Sequence, residues 1–92
     1  MAKRKETVTR VIDGDTFRTK FRSKHAVRLA NVNAPEKGAK GSTKATQELK
    51  RLIQGKKVEV QTVAHDVFGR VVAKVKVDGK SVNSAMNKKL KK

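Results

Sequence analysis

The sequence contains 92 residues, of which 36% are hydrophobic, and its 24 Lys and Arg residues against 8 Asp and Glu residues give a formal net charge of +16. This length predicts a single domain, residues 1–92, with a thin core, and the lack of cysteine excludes disulfides and thiolate metal sites. The charge indicates a polyanionic partner, and nucleic acid is favoured over a membrane surface because no long basic amphipathic helix is visible.

The N-terminal residues predict a loose basic arm followed by a β-hairpin. Residues 1–6 are charged and poor in apolar side chains, which is typical of an unanchored terminus. Residues 7–12 are rich in β-branched side chains and predict the first strand. Asp13-Gly14 then predicts a tight turn, in which the glycine would supply a positive φ.

Two further strands are predicted before the first helix. Over residues 16–22, Phe17 and Phe21 alternate with basic side chains, so both rings are expected in the core. Residues 26–30 form the third predicted strand. Arg28 is expected on the face opposite its apolar neighbours because side chains alternate along a strand.

A loop and an amphipathic helix follow the third strand. Residues 31–41 include the only proline and two glycines, and loops of this length in small domains often carry function. Ser42 or Thr43 is expected to cap the next helix, and Gly55 to end it. The apolar stripe of this helix consists of Ala45, Leu49, Leu52 and Ile53.

The last third of the chain predicts two strands and a short helix. Residues 57–63 and 70–77 alternate as strands do, and the apolar residues within 82–90 fit a helix. The predicted fold class is mainly β: a small five-stranded OB-fold barrel with one helix between strands 3 and 4 and a short C-terminal helix. Such barrels commonly bind nucleic acid.

Oxygen-bearing side chains and arginines lie near the predicted strand ends and in the long loop. They are Asp13, Asp15, Asn33 and Glu36, together with Arg28 and Arg70. Carboxylate and amide oxygens suit a hard cation such as calcium, and arginine offers a two-pronged donor to phosphate oxygens. This combination indicates phosphodiester cleavage with a metal ion.

Five segments of the chain carry a resemblance to a known family. Residues 11–17, 27–29, 33–36, 66–70 and 78–83 resemble, in order and spacing, the staphylococcal nuclease (thermonuclease) family. The resemblance implies an OB-fold, calcium-dependent phosphodiesterase, an endonuclease that acts on DNA and possibly RNA with little sequence specificity.

The resemblance also implies one calcium ion and the residues that hold it. Asp15, Asn33 and the backbone carbonyl of Ala34 correspond to the family's protein ligands, and Asp13 to a residue just outside them that orders metal-bound water. The family normally has an aspartate where this chain has Asn33. Since an amide oxygen brings no charge, we expect weaker calcium binding or a different metal preference.

The same resemblance assigns catalytic and substrate-binding residues. Arg28 and Arg70 would grip the target phosphate, and Glu36 would position or deprotonate the attacking water. The chain has no tyrosine, so Phe68 is the aromatic residue expected to touch a base, with Lys74 and Lys76 as further substrate contacts. Substrate grip should therefore rest on charge and weaken steeply with salt.

Two other functions stay open at this point. One is an OB-fold nucleic-acid-binding module that is catalytically weak or inactive, which Asn33 and the missing tyrosines would suit. The other is a basic architectural protein. The expected partners are single-stranded DNA, duplex DNA and possibly RNA, with no membrane, and the oligomeric state is open. No signal peptide is visible, so we expect a cytoplasmic protein if the chain is complete and a secreted one if a signal peptide was removed.

Overall fold

A computed structural model describes residues 3–22, 25–35 and 38–90 of the chain. In these ranges it contains six strands and two helices: β1 (Lys3–Asp13), β2 (Thr16–Thr19), β3 (Val27–Leu29), α1 (Ser42–Ile53), β4 (Lys57–His65), β5 (Val71–Val77), β6 (Lys80–Ser81) and α2 (Val82–Leu90). Neither helix of the described chain is long and apolar enough to cross a bilayer.

The strands form one sheet that closes on itself. Their order is β3-β2-β1-β4-β5-β6, and β3 also pairs with β5 in parallel, with Val27 opposite Val71 and Leu29 opposite Ala73. This pairing joins the two ends of a five-stranded barrel, while β6 extends β5 as a short hairpin. The predicted mainly β barrel of OB type, with one helix between β3 and β4 and a second after the last strand, is confirmed.

The core lies inside the barrel and under α1. Val27 and Leu29 on β3 point inward with Phe17 of β2, as the alternation predicts. Most of the predicted stripe of α1 is buried against them. Full burial of a side chain of this size contributes roughly 1.5–3 kcal/mol, which makes the few large core residues important in so small a domain.

A buried asparagine connects α2 to the barrel. The Asn83 Oδ1 accepts the backbone N–H of Val75 at 2.8 Å, and its amide nitrogen donates to the carbonyl oxygens of Ala30 at 2.9 Å and Ala73 at 3.1 Å. One side chain thus satisfies backbone groups of β5 and of the residue after β3. It holds the beginning of the long loop in place.

The prediction of a loose arm over residues 1–6 is wrong for residues 3–6. They belong to β1 and pair with β4, where Lys3 lies opposite Gln61 and Glu6 opposite Val58. The alternation there is masked because Glu6, although ionisable, points inward and is 2% exposed. Met1 and Ala2 lie outside the described residues.

The prediction that Phe21 belongs to the core is also wrong. The pairing of β2 ends at Thr19, so the alternation that would bury the next inward side chain stops there. Phe21 is 57% exposed, whereas Phe17 is fully buried.

Two smaller predictions about turns are corrected. The helix α1 is preceded by Gly41 in a left-handed conformation without a capping side chain, and Ser42 is already its first residue. Gly14 does not have a positive φ. Instead, a Cβ at Gly14 would meet the Cβ atoms of Ala45 at 2.6 Å and Ala34 at 2.7 Å, so glycine is needed for close packing.

Candidate active site

A small polar cleft opens at the end of the barrel where three segments meet. These are the turn between β1 and β2, the loop after β3 and the residue before β5. The cleft has a volume of about 310 Å³ and is lined by Asp13, Asp15, Arg28, Asn33, Ala34, Pro35 and Arg70. The parallel pairing of β3 with β5 brings Arg28 and Arg70 to the same end of the barrel.

Asp15 is the anchor of the cleft and is only 8% exposed. Its Oδ1 accepts the hydroxyl of Thr16 at 2.9 Å, and its Oδ2 accepts the backbone N–H of Ala34 at 3.1 Å. The second bond joins the turn after β1 to the long loop, 19 residues further along the chain. It therefore fixes Asn33 and Ala34 beside Asp15.

A second carboxylate lies next to the first. The Oδ1 of Asp13 accepts the backbone N–H of Asp15 at 3.1 Å. Burial raises the pKa of Asp13, and the neighbouring Asp15 side chain raises it further. Two adjacent carboxylates of this kind favour the presence of a positive group between or beside them.

In the structure that positive group is the guanidinium of Arg28. Its Nη2 donates to Asn33 Oδ1 at 2.9 Å and lies 3.5 Å from Asp15 Oδ2, while Nη1 donates to the Leu29 carbonyl at 3.2 Å. Arg28 therefore spans the cleft between two of the residues predicted to bind a metal ion.

Arg70 is oriented by an aspartate in its own loop. The Nε of Arg70 donates to Asp66 Oδ2 at 2.6 Å, and Asp66 Oδ1 accepts the backbone N–H groups of Phe68 at 3.0 Å and Arg70 at 2.9 Å. Desolvation alone would raise the pKa of Asp66, but the hydrogen bonds from Arg70 and Phe68 outweigh it and lower the pKa. The loop and the arginine are thus held by one carboxylate.

Phe68 lies beside the cleft with its ring open to solvent. It is 80% exposed, and the Cζ of Arg70 lies 5.4 Å from the centre of its ring. A groove shared by Phe68, Arg70, Asp13 and Arg18 continues from the cleft along β2.

The oxygen donors of the cleft fit a hard cation in chemical type. Asp13 and Asp15 supply carboxylates and Asn33 an amide oxygen, and calcium accepts such ligands together with backbone carbonyls and water. Within the described ranges, no three His, Cys, Asp or Glu side chains converge on one point. Among the residues that the structure describes, the carboxylates that line the cleft are those of Asp13 and Asp15.

The remaining predicted site residues fall elsewhere. Lys74 and Lys76 are exposed on β5, in a different groove that includes Asn31 and Gln61, and the structure does not bring them to the cleft. Glu36 lies outside the described residues.

Sequence reasoning missed two residues that shape the cleft. The sequence indicates only that Thr16 begins a strand. Nothing in its neighbours indicates that its hydroxyl donates a hydrogen bond to Asp15. The sequence indicates only that Gly14 forms a turn. Its packing role is not visible there, because the alanines that it packs against are 20 and 31 residues away in the chain. The one signal in the sequence is that Gly14, Ala34 and Ala45 are all small residues.

The barrel and its cleft define a class of protein: small OB-type domains with an acid- and arginine-lined cleft at one end. Comparison with known proteins gives a family. The family model for staphylococcal nuclease homologues matches residues 26–89, and the chain belongs to this family.

Curated relatives were found in bacteria and plants. An uncharacterized endonuclease of Escherichia coli is 38% identical over 81 residues, which cover 86% of this chain and 53% of that protein, and the same values hold for one of Escherichia coli O157:H7. A probable staphylococcal-like nuclease of Oryza sativa subsp. japonica is 33% identical over 66 residues, covering 72% of this chain and 20% of the relative. The chain thus spans about half the length of the bacterial relatives.

Proposed function

We propose that this protein is a calcium-dependent endonuclease that hydrolyses phosphodiester bonds in DNA, and in RNA, with little sequence specificity. The observation that carries the proposal is the meeting of Asp15, Arg28 and Arg70 in one polar cleft, although they are far apart in the chain. Family membership and the names of the relatives, an endonuclease and a probable nuclease, support the nuclease activity.

The two arginines are proposed to bind the scissile phosphate. Each guanidinium can donate two parallel hydrogen bonds to phosphate oxygens, and such donors stabilise the charge that develops as water attacks phosphorus. Arg28 would give up its contacts with Asp15 and Asn33 to bind the phosphate. Arg70 can keep the bond from its Nε to Asp66 and donate to the phosphate from its terminal nitrogens.

Glu36 is proposed, on the resemblance, as the residue that takes the proton of the attacking water. A new P–O bond forms with that water, the bond from phosphorus to the 5′ oxygen breaks, and this oxygen takes a proton from solvent, leaving a 3′-phosphate and a 5′-hydroxyl. Asp15, Asn33 and the Ala34 carbonyl would hold calcium, with Asp13 behind them. The ion's chemistry is to neutralise phosphate charge and orient the phosphate for in-line attack.

Substrate outside the cleft is proposed to be held mainly by charge. Phe68 offers one exposed ring for a base, and the exposed Lys74 and Lys76 offer contacts to phosphates in a separate groove. Contacts between basic side chains and phosphates do not distinguish one base from another, so little base preference is expected.

A second candidate function is a binding module with weak or no cleavage. The observation that favours it is the neutral Asn33, whose Oδ1 is already taken by Arg28 at 2.9 Å. A cation at this site would have to displace that guanidinium. It would do so with one negative ligand fewer than in relatives that have an aspartate at this position. Cleavage in the presence and absence of metal separates the two functions.

The test is cleavage of single-stranded DNA, duplex DNA and RNA at low salt, with calcium, with magnesium and with a chelator. We expect calcium-dependent cleavage of all three. Glu36→Gln should remove most of it, as should Arg70→Lys, because lysine keeps the charge but lacks the planar fork.

The control is Lys80→Ala, an exposed change at the first residue of β6. It removes one positive charge outside the cleft and should cleave like the original protein. If the original protein binds nucleic acid in every condition but cleaves it in none, the endonuclease proposal is contradicted and the binding module remains.

A further inference from the structure

An exposed phenylalanine marks a surface that the cleft does not use. Phe21 follows β2 and is 57% exposed. The other exposed large apolar side chains of the described chain are Ile12, Val67 and Phe68, and all three lie in or beside the groove that adjoins the cleft. Neither core packing nor the cleft therefore accounts for Phe21.

Two arginines flank the ring of Phe21. The Cζ of Arg4 lies 4.0 Å from the ring centre, and the Cζ of Arg22 lies 5.6 Å from it. Both distances are within the roughly 6 Å range of cation–π contacts. Guanidinium groups are weakly hydrated and planar, so the three side chains together offer flat faces and positive charge to a ligand.

A buried carboxylate holds one of these arginines in place. Glu6 accepts the Thr19 hydroxyl at 2.6 Å and the Arg22 Nε at 3.1 Å, and the Arg22 Nη2 lies 3.0 Å from its Oε2. A buried charge is tolerated when it is paired and hydrogen-bonded in this way. Arg22 is thus oriented beside Phe21 before any ligand arrives, which lowers the entropy cost of binding.

A basic route connects this surface with the cleft. Arg18 on β2 lines the groove that contains Phe68 and Arg70, and Lys20 is exposed between Arg18 and Phe21. From Thr16 at the cleft to Phe21 the chain spans at most about 18 Å. At a rise of about 3.4 Å per nucleotide, that distance corresponds to roughly five nucleotides of one strand.

We propose that Phe21, Arg4 and Arg22 form a second contact for single-stranded nucleic acid, with one base stacked on the ring and a phosphate near the arginines. A single strand fits because only an unpaired base leaves its face open for stacking. The proposal rests on the proposed function in one respect, since it takes nucleic acid as the ligand of the cleft.

The first test measures affinity by fluorescence anisotropy in chelator, where cleavage is absent. Phe21→Leu keeps an apolar side chain but removes the aromatic face. It should weaken binding of a 12-nucleotide oligo(dT) by about 5- to 150-fold and leave a trinucleotide unaffected, because loss of one stacked base has that effect. Equal affinity of the variant and the original protein for the 12-mer would overturn the proposal.

A second variant reads the contact directly. The chain has no tryptophan, so Phe21→Trp places a single fluorophore at the proposed contact. Oligo(dT) of 12 nucleotides should quench it well beyond an abasic strand of the same length, and beyond its effect on Lys88→Trp, an exposed position on α2. Equal quenching by the two strands would overturn the stacking contact.

The two proposals fail in different ways. If the original protein cleaves nucleic acid but Phe21→Trp responds to neither strand, only the second contact is overturned. If the original protein binds the 12-mer without cleaving it and Phe21→Trp is quenched, the endonuclease is overturned while the contact stands.

Discussion

Arg28 occupies the position where a cation would balance Asp13 and Asp15. Its guanidinium touches Asn33 Oδ1 and lies near Asp15 Oδ2, so it offsets the charge of Asp15. If a metal ion binds here, as proposed, it must overcome this contact. The charge of the residue at position 33 should then affect how well the metal competes with Arg28.

Replacing Asn33 by Asp should strengthen calcium binding. The change adds a full negative charge among the cleft oxygens, and calcium affinity follows the number of charged ligands, so we expect an increase on the order of tenfold or more. Calcium titration by calorimetry, and the rise in melting temperature with added calcium, measure this directly. Asn31→Asp is the matched control, because Asn31 is exposed in the same loop but does not line the cleft. An equal gain in both variants would point to a general charge effect.

Removing the charge of Asp66 should reduce activity through Arg70. Asp66→Asn keeps an oxygen for the two backbone N–H groups but loses the carboxylate oxygen that binds Arg70 Nε at 2.6 Å. We expect kcat/KM to fall by up to about 100-fold, since misplacement by about 1 Å can have that effect. Asp78→Asn, in the turn before β6, is the control and should leave kcat/KM unchanged.

The same variant should change the response of stability to acid. The pKa of Asp66 is lower in the folded protein than its ordinary value of 3.8, so the unfolded chain binds more protons near that pH. The stability that Asp66 contributes is present above 3.8 and is lost as the pH falls through the lower, folded value. Urea unfolding between neutral and strongly acidic pH should show this loss in the original protein and not in Asp66→Asn.

Among the helices and strands, the contact between α1 and the turn after β1 is the tightest constraint on the cleft. Gly14→Ala would force its Cβ to within 2.6 Å of Ala45 Cβ. Overpacking of this kind costs about 1–3 kcal/mol of unfolding free energy. Chemical denaturation should show that loss. The double variant that combines Gly14→Ala with Ala45→Gly should be more stable, by at least about 0.5 kcal/mol of unfolding free energy, than the sum of the two single changes predicts.

The junction of α2 with the barrel gives a second prediction about stability. Asn83→Ala would leave the Val75 N–H and the Ala30 carbonyl without their side-chain partner. Each buried unsatisfied group costs about 1–3 kcal/mol, so the expected loss for the two groups is about 2–6 kcal/mol in chemical denaturation. Asn87→Ala is the control, since Asn87 makes one exposed bond, to the Asn31 carbonyl, and its removal should cost little.

The elements with clear periodicity could be predicted from the sequence. Val27 and Leu29 alternate and are buried, and the apolar stripe of α1 faces the core. The errors at Glu6 and Phe21 have different causes. The sequence does not show that an ionisable side chain such as Glu6 can point inward when Arg22 pairs with it. It also does not show that the pairing of β2 ends at Thr19, before Phe21.

Much of the composition of the cleft can be predicted from the sequence, while the roles of its residues follow from the resemblance. Asp15, Asn33 and Arg28 are candidates on their chemistry alone, and the structure brings them together. Their mutual contacts could not be foreseen, because they depend on side chains reaching across the closed barrel. Lys74 and Lys76 are predicted as further substrate contacts, but the sequence does not show in which groove of the barrel a lysine lies.

Over the molecule as a whole, the net charge of +16 should act in opposite directions on folding and on binding. The Debye length falls from about 30 Å at 0.01 M salt to about 8 Å at 0.15 M. The Cα radius of gyration is 11.9 Å, so only the higher salt screens repulsion across the molecule.

The melting temperature should therefore rise as salt increases over this range. Affinity for a single strand should fall over the same range, with a log–log slope of about −0.7 for each phosphate contact. Differential scanning fluorimetry and anisotropy titrations at matched salt test both signs. A melting temperature that falls with salt would contradict a dominant role for self-repulsion.

The parallel pairing of β3 with β5 has a consequence for the protein's synthesis. Asp15 and Arg28 are made early, but Arg70 and the strand that closes beside Arg28 come only later, up to Val77. A polypeptide still on the ribosome thus has no assembled cleft until β5 has been made. Any chemistry that the cleft performs is therefore withheld from the growing chain up to that point.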